Sequence, residues 1–252
     1  FGGKSELKLV LLGESQSLKA PVGNLLLGKT QFSQHYKCVK GSGRFKDRPV
    51  VVVDSPGLFD TSLSNEELQG ELVKCITMLA PGPHVFLLVL QIGRFTKEEK
   101  ESVELIKMYF GEKSSPFIIT LFTKIDALEN ASIENYIEGS DDLKKIIQDC
   151  GGRFHGFNNK DKNNQSQVRQ LIQKANKMVM ENGGSYYSTE TFQEAEVAIK
   201  KEMERLLNKV SLYKHHPSCH LEQPTQTFKK QPTSPLRTES IYPLIQSSSI
   251  TG

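Results

Sequence analysis

The chain has 252 residues, of which 37% are apolar and 24% charged, the composition of an ordinary globular protein with one complete α/β core. The formal net charge of +3 is small and spread along the chain, which argues against a nucleic-acid partner. No apolar run approaches the ~20 residues of a membrane span, and residues 1–6 lack the zones of a signal peptide. We therefore expect a cytoplasmic protein without a transmembrane segment.

The cysteines lie far apart in the sequence, at Cys38, Cys75, Cys150 and Cys219. They show neither the paired spacing of a zinc site nor the density of a disulfide framework. We expect all of them to be reduced thiols.

Apolar runs alternate with helical patterns along most of the chain. The apolar runs, typical of strands covered on both faces, are Leu7–Leu12, Val50–Val53, Val85–Leu90 and Phe117–Phe122. The helical patterns are Asn65–Leu79, Lys97–Phe110, Ser132–Asp149 and Ser166–Met180. This alternation predicts an α/β fold with a doubly wound, mostly parallel sheet and helices on both faces.

The clearest helical pattern is Lys97–Phe110. Thr96 and Glu99 form a capping box at its start, and Gly111 follows its last residue. These local signals predict both ends of the helix.

The C-terminal quarter has a different character. The main domain is predicted to span residues 6–187, followed by a helix over residues 188–210 that packs on it rather than forming a coiled coil. Residues 211–252 are rich in Ser, Thr, Gln and Pro, which predicts a disordered tail. The histidines of that tail lack a second ligand pair, so we interpret them as solvated residues.

The first chemically informative segment is Gly13–Ala20, which follows the first predicted strand. A phosphate-binding loop has the pattern G-x-x-x-x-G-K-[ST], and Lys19 has the required spacing from Gly13. Leu18 replaces the second glycine, and leucine would be strained if the loop needed a positive φ there. Ala20 replaces the hydroxyl residue that binds Mg²⁺. Both changes weaken a triphosphate site.

Two further segments also end predicted strands. Asp54 and Gly57 fit a D-x-x-G pattern, in which the carboxylate holds Mg²⁺ indirectly and the glycine N–H meets the γ-phosphate. Leu58 stands where a glutamine would orient the attacking water. The segment Thr123–Asp126 fits [NT]-K-x-D, whose carboxylate accepts two guanine N–H donors that adenine does not match. The order and spacing of the segments favour a guanine-nucleotide site.

The sequence resembles the GIMAP-type, immunity-associated nucleotide-binding GTPases over roughly residues 6–187. The resemblance rests on Gly23–Gly28, Val51–Asp60, Pro81–Val89 with Gly93–Thr96, and Cys150–Arg153 with Phe157–Asn159. It implies a P-loop GTPase fold, GTP or GDP binding, and homo- or hetero-oligomers formed through G domains. It also implies immune settings and peripheral association with intracellular membranes.

The resemblance also implies roles for individual residues. Gly13, Ser15, Ser17, Lys19 and Ala20 fall in the phosphate loop, Asp54 and Gly57 in the γ-phosphate and metal segment, Thr123, Lys124 and Asp126 in the base segment, and Asn158 in the last loop beside the base. Leu18 and Ala20 depart from the family pattern. A switch threonine is expected between Phe32 and Lys40, and none is present. These losses put hydrolysis in doubt more than binding.

Three functional hypotheses follow. The leading one is a guanine-nucleotide-binding regulatory protein with weak or absent hydrolysis and weakened Mg²⁺ binding. The second is a pseudo-GTPase scaffold whose pocket is empty. The third is a GTPase completed by dimerisation, with Arg94 supplied in trans to a partner's phosphates, although Arg94 also fits an ordinary surface arginine. His84 is interpreted as a packed turn residue rather than a base.

Overall fold

The computed structural model describes residues 5–33, 35–93, 95–129, 131–161 and 164–188. By its internal contacts the chain divides into residues 1–203 and residues 204–252, and every described residue belongs to the first unit. Residues 189–252 and Arg94 lie outside the described residues. The C-terminal helix, the tail and the role of Arg94 therefore remain predictions.

A mixed sheet forms the centre of the described part of the chain, where six strands follow the order β2-β3-β1-β4-β5-β6. The strands are β1 (Leu7–Gly13), β2 (Val39–Phe45), β3 (Arg48–Asp54), β4 (Val85–Gln91), β5 (Ile118–Thr123) and β6 (Phe154–Phe157). Neighbouring strands are parallel except that β2 runs antiparallel to β3. The predicted mostly parallel α/β sheet is confirmed.

Helices cover both faces of this sheet. They are α1 (Gln16–Leu27), α2 (Asn65–Thr77), α3 (Lys97–Phe110), α4 (Ile133–Glu138), α5 (Asp141–Asp149) and α6 (Gln165–Glu181). Successive residues of β1 enter opposite cores, because side chains alternate across a strand. Leu9 packs with residues of α1 and α6, whereas Val10 packs with residues of α2, α3 and α5. Burial on both faces explains the unbroken apolar runs in the sequence.

The helix predicted over Lys97–Phe110 has those bounds, and its capping box is present. Thr96 Oγ1 accepts the Glu99 N–H at 3.1 Å, and the Glu99 carboxylate accepts the Thr96 N–H at 3.2 Å. The prediction of one helix over Ser132–Asp149 is wrong, since α4 and α5 are separated at Gly139 and Ser140. The Ser140 hydroxyl accepts the Leu143 N–H and caps α5, so a new helix begins after Ser140.

The structure contains strands that the hydrophobic pattern did not predict. The edge strand β2 carries glycines and charged side chains and is mostly not buried, so it lacks a long apolar run. Its register, with Val39 opposite Asp54, places the start of β2 beside the end of β3. The short strand β6 pairs in parallel with β5 and forms the opposite edge.

The expectation that all cysteines are reduced is wrong for Cys38 and Cys75, which form a disulfide. They are 37 residues apart in sequence, but their Cα atoms lie 6.0 Å apart because the chain before β2 packs against α2. Sequence spacing could not reveal this proximity. Cys150 is a buried free thiol, and burial raises its pKa to about 12. Cys219 lies outside the described residues.

The end of the sheet opposite to the predicted site is closed by Tyr187 and His84. The Tyr187 N–H donates to the Pro83 carbonyl at 2.8 Å, and the tyrosine ring packs in an edge arrangement against Phe86. His84 Nδ1 accepts the N–H of Lys8 at 3.0 Å, and burial lowers the His84 pKa to about 4. His84 is thus a neutral packed residue, as the sequence indicated.

Gly82 is expected to be intolerant of a side chain at this closure. A Cβ there would lie 1.9 Å from the backbone oxygen of Tyr187, so the Gly82→Ala variant should lose ~1–3 kcal/mol of unfolding free energy. Gly70, exposed on α2 with no atom within 4 Å of its Cβ position, is the matched control. Gly70→Ala should gain ~0.5–1 kcal/mol. The free energies of unfolding in urea measure both changes. Equal values for the two variants would contradict the close contact of Gly82 with the Tyr187 backbone.

Candidate functional site

The motif segments meet at one edge of the sheet, as predicted. Gly13 ends β1, Asp54 ends β3, Thr123 ends β5, and Asn158 follows β6 directly. The carboxyl ends of parallel strands are the usual ligand-binding edge of this architecture. The edge has a phosphate side, formed by the loops after β1 and β3, and a base side, formed by the loops after β5 and β6.

On the phosphate side the loop after β1 is short, because α1 already begins at Gln16. Leu18 therefore lies inside a right-handed helix, and the positive φ that would have strained it is not adopted. Its side chain is half-buried and packs against the core below α1. Ser15 and Ser17, predicted phosphate contacts, are joined by a hydrogen bond between their hydroxyls at 2.9 Å. The helix N-terminus presents backbone N–H groups to this space.

Lys19 is buried beneath the loop rather than exposed above it. Both Lys19 and Asp54 are 0% exposed, and Lys19 Nζ lies 3.8 Å from Asp54 Oδ1. Burial lowers the Lys19 pKa to about 8, and the charges of Asp54 and Asp60 oppose that shift. Among the described residues, neither the ammonium nor the carboxylate oxygens find a properly aligned hydrogen-bond partner. The pair is therefore a buried ionic contact without full hydrogen bonding.

His35 is a second neighbour of Asp54 and was not anticipated from the sequence. Its Nε2 lies 3.2 Å from Asp54 Oδ2, and its Nδ1 lies 2.7 Å from the Gln16 side-chain nitrogen. Gln16 is buried and reaches back over the end of β3 to the Ser55 carbonyl at 3.4 Å. The family pattern predicts a threonine in this part of the chain, and none is present. The signal that could have been used is His35 itself, a polar side chain in the stretch of residues 32–40 where the threonine was expected.

The D-x-x-G segment packs directly on the phosphate loop. A Cβ on Gly57 would lie 2.5 Å from the Glu14 carbonyl oxygen, and the Leu58 N–H donates to the Gly13 oxygen at 3.0 Å. Leu58 is 2% exposed and belongs to the core, so it cannot orient a water. A cavity of 810 Å³ adjoins these segments, lined on one side by Glu14–Ser17 and His35 and on the other by residues of α2 and α3.

The base side is built on β5. Thr123 is buried, and its hydroxyl donates to the Leu90 carbonyl at 3.0 Å. Lys124 follows with φ 57°, a left-handed conformation that turns the chain sharply out of the strand. Asp126 comes two residues later, and its Oδ2 lies 2.6 Å from Lys160 Nζ. The hydrogen bond from Lys160 holds the Asp126 pKa below its usual range, so the carboxylate is ionised at neutral pH.

Asn158 lies in the loop after β6 and contacts that loop and the first turn of α6. Its Oδ1 accepts the Lys160 N–H at 2.9 Å, and its own N–H donates to Gln167 Oε1 at 2.8 Å. Asn158 therefore shapes the turn that brings Lys160 to Asp126. Lys160 ends the segment Phe157–Lys160 that matches the last loop, but no role was predicted for it or for Gln167, because their roles depend on how the loop folds.

The residues around Asp54 do not fit a magnesium ion. Mg²⁺ requires oxygen ligands in near-octahedral geometry, whereas Asp54 faces the Lys19 ammonium and the His35 ring. Ala20 offers no hydroxyl. Across the part of the chain that the structure describes, no cluster of three or more acidic, histidine or cysteine side chains could hold a metal ion.

Comparison with known proteins yields a consistent group of relatives. The model of the AIG1 family matches residues 7–206. The chain is 36% identical over 193 residues to GTPase IMAP family member 8 of Homo sapiens, covering 73% of this chain and 29% of that protein. It is 32% identical over 239 residues to immune-associated nucleotide-binding protein 9 of Arabidopsis thaliana, covering 88% of this chain and 68% of that protein. The chain thus spans less than a third of the IMAP family member 8 relative.

Among solved structures, Toc33 from Arabidopsis thaliana in complex with Mg²⁺ and GMPPNP superposes with a TM-score of 0.55. The identity is 19%, and the match covers 70% of this chain and 85% of Toc33, so this likeness concerns the fold. Within the described residues, no helix has the length and apolar character needed to cross a membrane.

Proposed function

The chain belongs to the AIG1 family, and we propose that it acts as a guanine-nucleotide-binding regulatory protein with weak or absent hydrolysis. The observation that carries this proposal is the base segment, with Asp126 ionised at the carboxyl edge of the sheet. An ionised carboxylate accepts the paired N–H donors of guanine and offers nothing comparable to adenine. The names of the relatives, a GTPase and a nucleotide-binding protein, support the same conclusion.

The contact between Asp126 and Lys160 leaves this carboxylate accessible to a base. The Lys160 side chain is 79% exposed, and solvent screening makes exposed ion pairs weak. A bound guanine can therefore displace or share this partner at small cost. Lys124 and Thr123 hold the turn that presents Asp126 and belong to the same proposed base site, with Asn158 supporting it from the neighbouring loop.

Weak hydrolysis and a preference for GDP over Mg²⁺-dependent GTP follow from the phosphate side. Leu58 is in the core, Ala20 has no hydroxyl, and Asp54 already faces protein side chains. Each of these features removes a group that activates water or stabilises the developing charge on phosphate. Gly13, Ser15, Ser17, Lys19 and Gly57 would then serve to bind a diphosphate. Equilibrium binding of fluorescent GDP, GTP and ADP to the full chain tests this proposal.

We further propose that the protein works in the cytoplasm or peripherally at intracellular membranes, in immune settings. The word immune in the names of the Arabidopsis relatives supports this setting. The protein would signal through the part of its surface that becomes ordered when nucleotide binds.

A pseudo-GTPase scaffold is the second candidate, and the burial of Lys19 favours it. A lysine that is 0% exposed must move before it can touch phosphate, and this movement disfavours binding. In this case partners would bind the fold itself, and GDP would not bind at any accessible concentration.

The third candidate is a GTPase completed by dimerisation, in which Arg94 of one chain would contact the phosphates of the nucleotide bound to the other chain. Structural neighbours are described as a dimerisation-deficient Toc33 mutant and as Toc components whose dimerisation is important for GTPase activity. If this mechanism operates here, GTP turnover per molecule should rise with protein concentration and fall by ~10³-fold or more in Arg94→Ala. A dilution series of both proteins measures it. GTP turnover per molecule that is independent of protein concentration would show that Arg94 has no role in trans.

A further inference from the structure

The residues that lead from α1 to β2 are anchored firmly enough to position His35. The Asn24 side chain accepts the N–H groups of Gln31 and Phe32, both at 2.7 Å, and donates to the Phe32 carbonyl at 2.9 Å. The buried Phe32 ring packs on Gly23, where a Cβ would lie 2.6 Å from the ring. Beyond His35, the Cys38–Cys75 disulfide fixes the chain to α2. His35 is therefore held from both sides over the end of β3.

Gln16 determines which ring nitrogen of His35 carries the proton. The Gln16 Oε1 atom accepts the backbone N–H of His35, and the Gln16 nitrogen faces the Ser55 carbonyl, which can only accept. The amide orientation is thereby fixed, and its N–H must donate to His35 Nδ1. A ring whose Nδ1 accepts carries its proton on Nε2. That proton lies on the side of Asp54 Oδ2, 3.2 Å away.

Both oxygens of Asp54 therefore face protein groups that carry protons. Lys19 Nζ lies nearest Oδ1 and His35 Nε2 nearest Oδ2, and all these atoms are buried. A divalent cation that reached Asp54, directly or through water, would have to displace these groups. It would find no hydroxyl at position 20 to complete its ligand set.

We propose that His35, positioned by Gln16, takes the place of the divalent cation beside Asp54, so that the chain binds guanine nucleoside diphosphate without metal. This inference rests on the proposed function, because it presumes a guanine-nucleotide site. According to this proposal, His35 is the residue that makes binding of the diphosphate independent of a metal ion. Lys19 stays beside Asp54, and the N–H groups at the start of α1 supply the positive charge that faces the phosphates.

A double-mutant cycle on the full chain tests the proposal. Fluorescent GDP binding is measured in excess EDTA and in excess Mg²⁺ for the wild type, His35→Ala, Ala20→Ser and the double variant. The wild type and both single variants should show the same dissociation constant in the two buffers within about twofold. The double variant frees the Oδ2 atom of Asp54 and adds a hydroxyl at position 20, so its GDP affinity should rise about tenfold or more with Mg²⁺. Ser33→Ala, which changes an exposed residue of the same segment that does not line the cavity, is the control and should behave as wild type.

A metal titration without nucleotide gives a second readout. Mn²⁺ binding followed by electron paramagnetic resonance should be absent in the wild type and present in the double variant. Wild-type Mn²⁺ binding, or GDP affinity that rises tenfold with Mg²⁺ in the wild type, would overturn the inference and leave the proposed function intact. Failure of the wild type to bind GDP in both buffers would instead overturn the proposed function. If the double variant does not fold, the wild-type measurements still decide between these outcomes.

Discussion

Replacing Asp126 with alanine is expected to abolish the preference for guanine over adenine nucleotides. The ionised carboxylate is the group at this edge that can accept two N–H donors of guanine, and a bidentate contact of this kind discriminates between bases by roughly ten- to a hundredfold. The Asp126→Ala variant should therefore lose GDP affinity by about that factor, while its weak ADP affinity stays unchanged. Competition of GDP and ADP against a fluorescent nucleotide measures both affinities.

The Glu134→Ala variant is the control for this substitution. Glu134 lies exposed in the first turn of α4, and its removal changes the net charge by the same amount. It should leave the GDP-to-ADP ratio at the wild-type value. An Asp126→Ala variant that still distinguishes guanine from adenine would show that this segment does not read the base.

Replacing Lys19 with methionine is expected to cause the largest loss of stability among the site residues. Methionine keeps most of the side-chain volume, so packing changes little. The Asp54 carboxylate, however, remains 0% exposed and loses its cation. Removing one partner of a buried ion pair costs ~3–5 kcal/mol, well above the ~1 kcal/mol of an exposed pair. The free energy of unfolding in urea measures the loss.

A second substitution separates the loss of charge pairing from any loss of packing. Adding Asp54→Asn to Lys19→Met removes the uncompensated charge and leaves a neutral side chain of the same shape beside the His35 ring. The double variant should then recover most of the lost stability, which gives a strong interaction energy between the two positions. If the two losses simply add, the lysine and the aspartate are not coupled in the folded protein.

The features that could be predicted from sequence depend on residues close together in the chain. The helix Lys97–Phe110 was predicted to the residue, because its capping box and terminal glycine are local signals. The buried strands were recognised because a strand covered on both faces is apolar throughout. Since each motif follows a strand directly, the meeting of the motifs at one edge could be predicted as well.

The features that were missed depend on contacts between distant segments. The edge strand β2 is defined by its pairing with β3, and its own sequence is polar and rich in glycine. The Cys38–Cys75 disulfide and the approach of His35 to Asp54 join residues 37 and 19 positions apart, respectively. The burial of Lys19 follows from the early start of α1, which the motif pattern does not encode. The motif pattern therefore indicated the candidate site but not the burial of its lysine and aspartate.

The identity of the nucleotide that the protein retains decides whether it is a guanine-nucleotide-binding protein. The purified full chain is equilibrated with equal amounts of GDP and ADP in EDTA, desalted and denatured, and the released nucleotide is identified by chromatography. If Asp126 selects guanine and the diphosphate is held without a metal ion, GDP should be released in clear excess over ADP. Release of neither nucleotide, or of equal amounts of both, would contradict it.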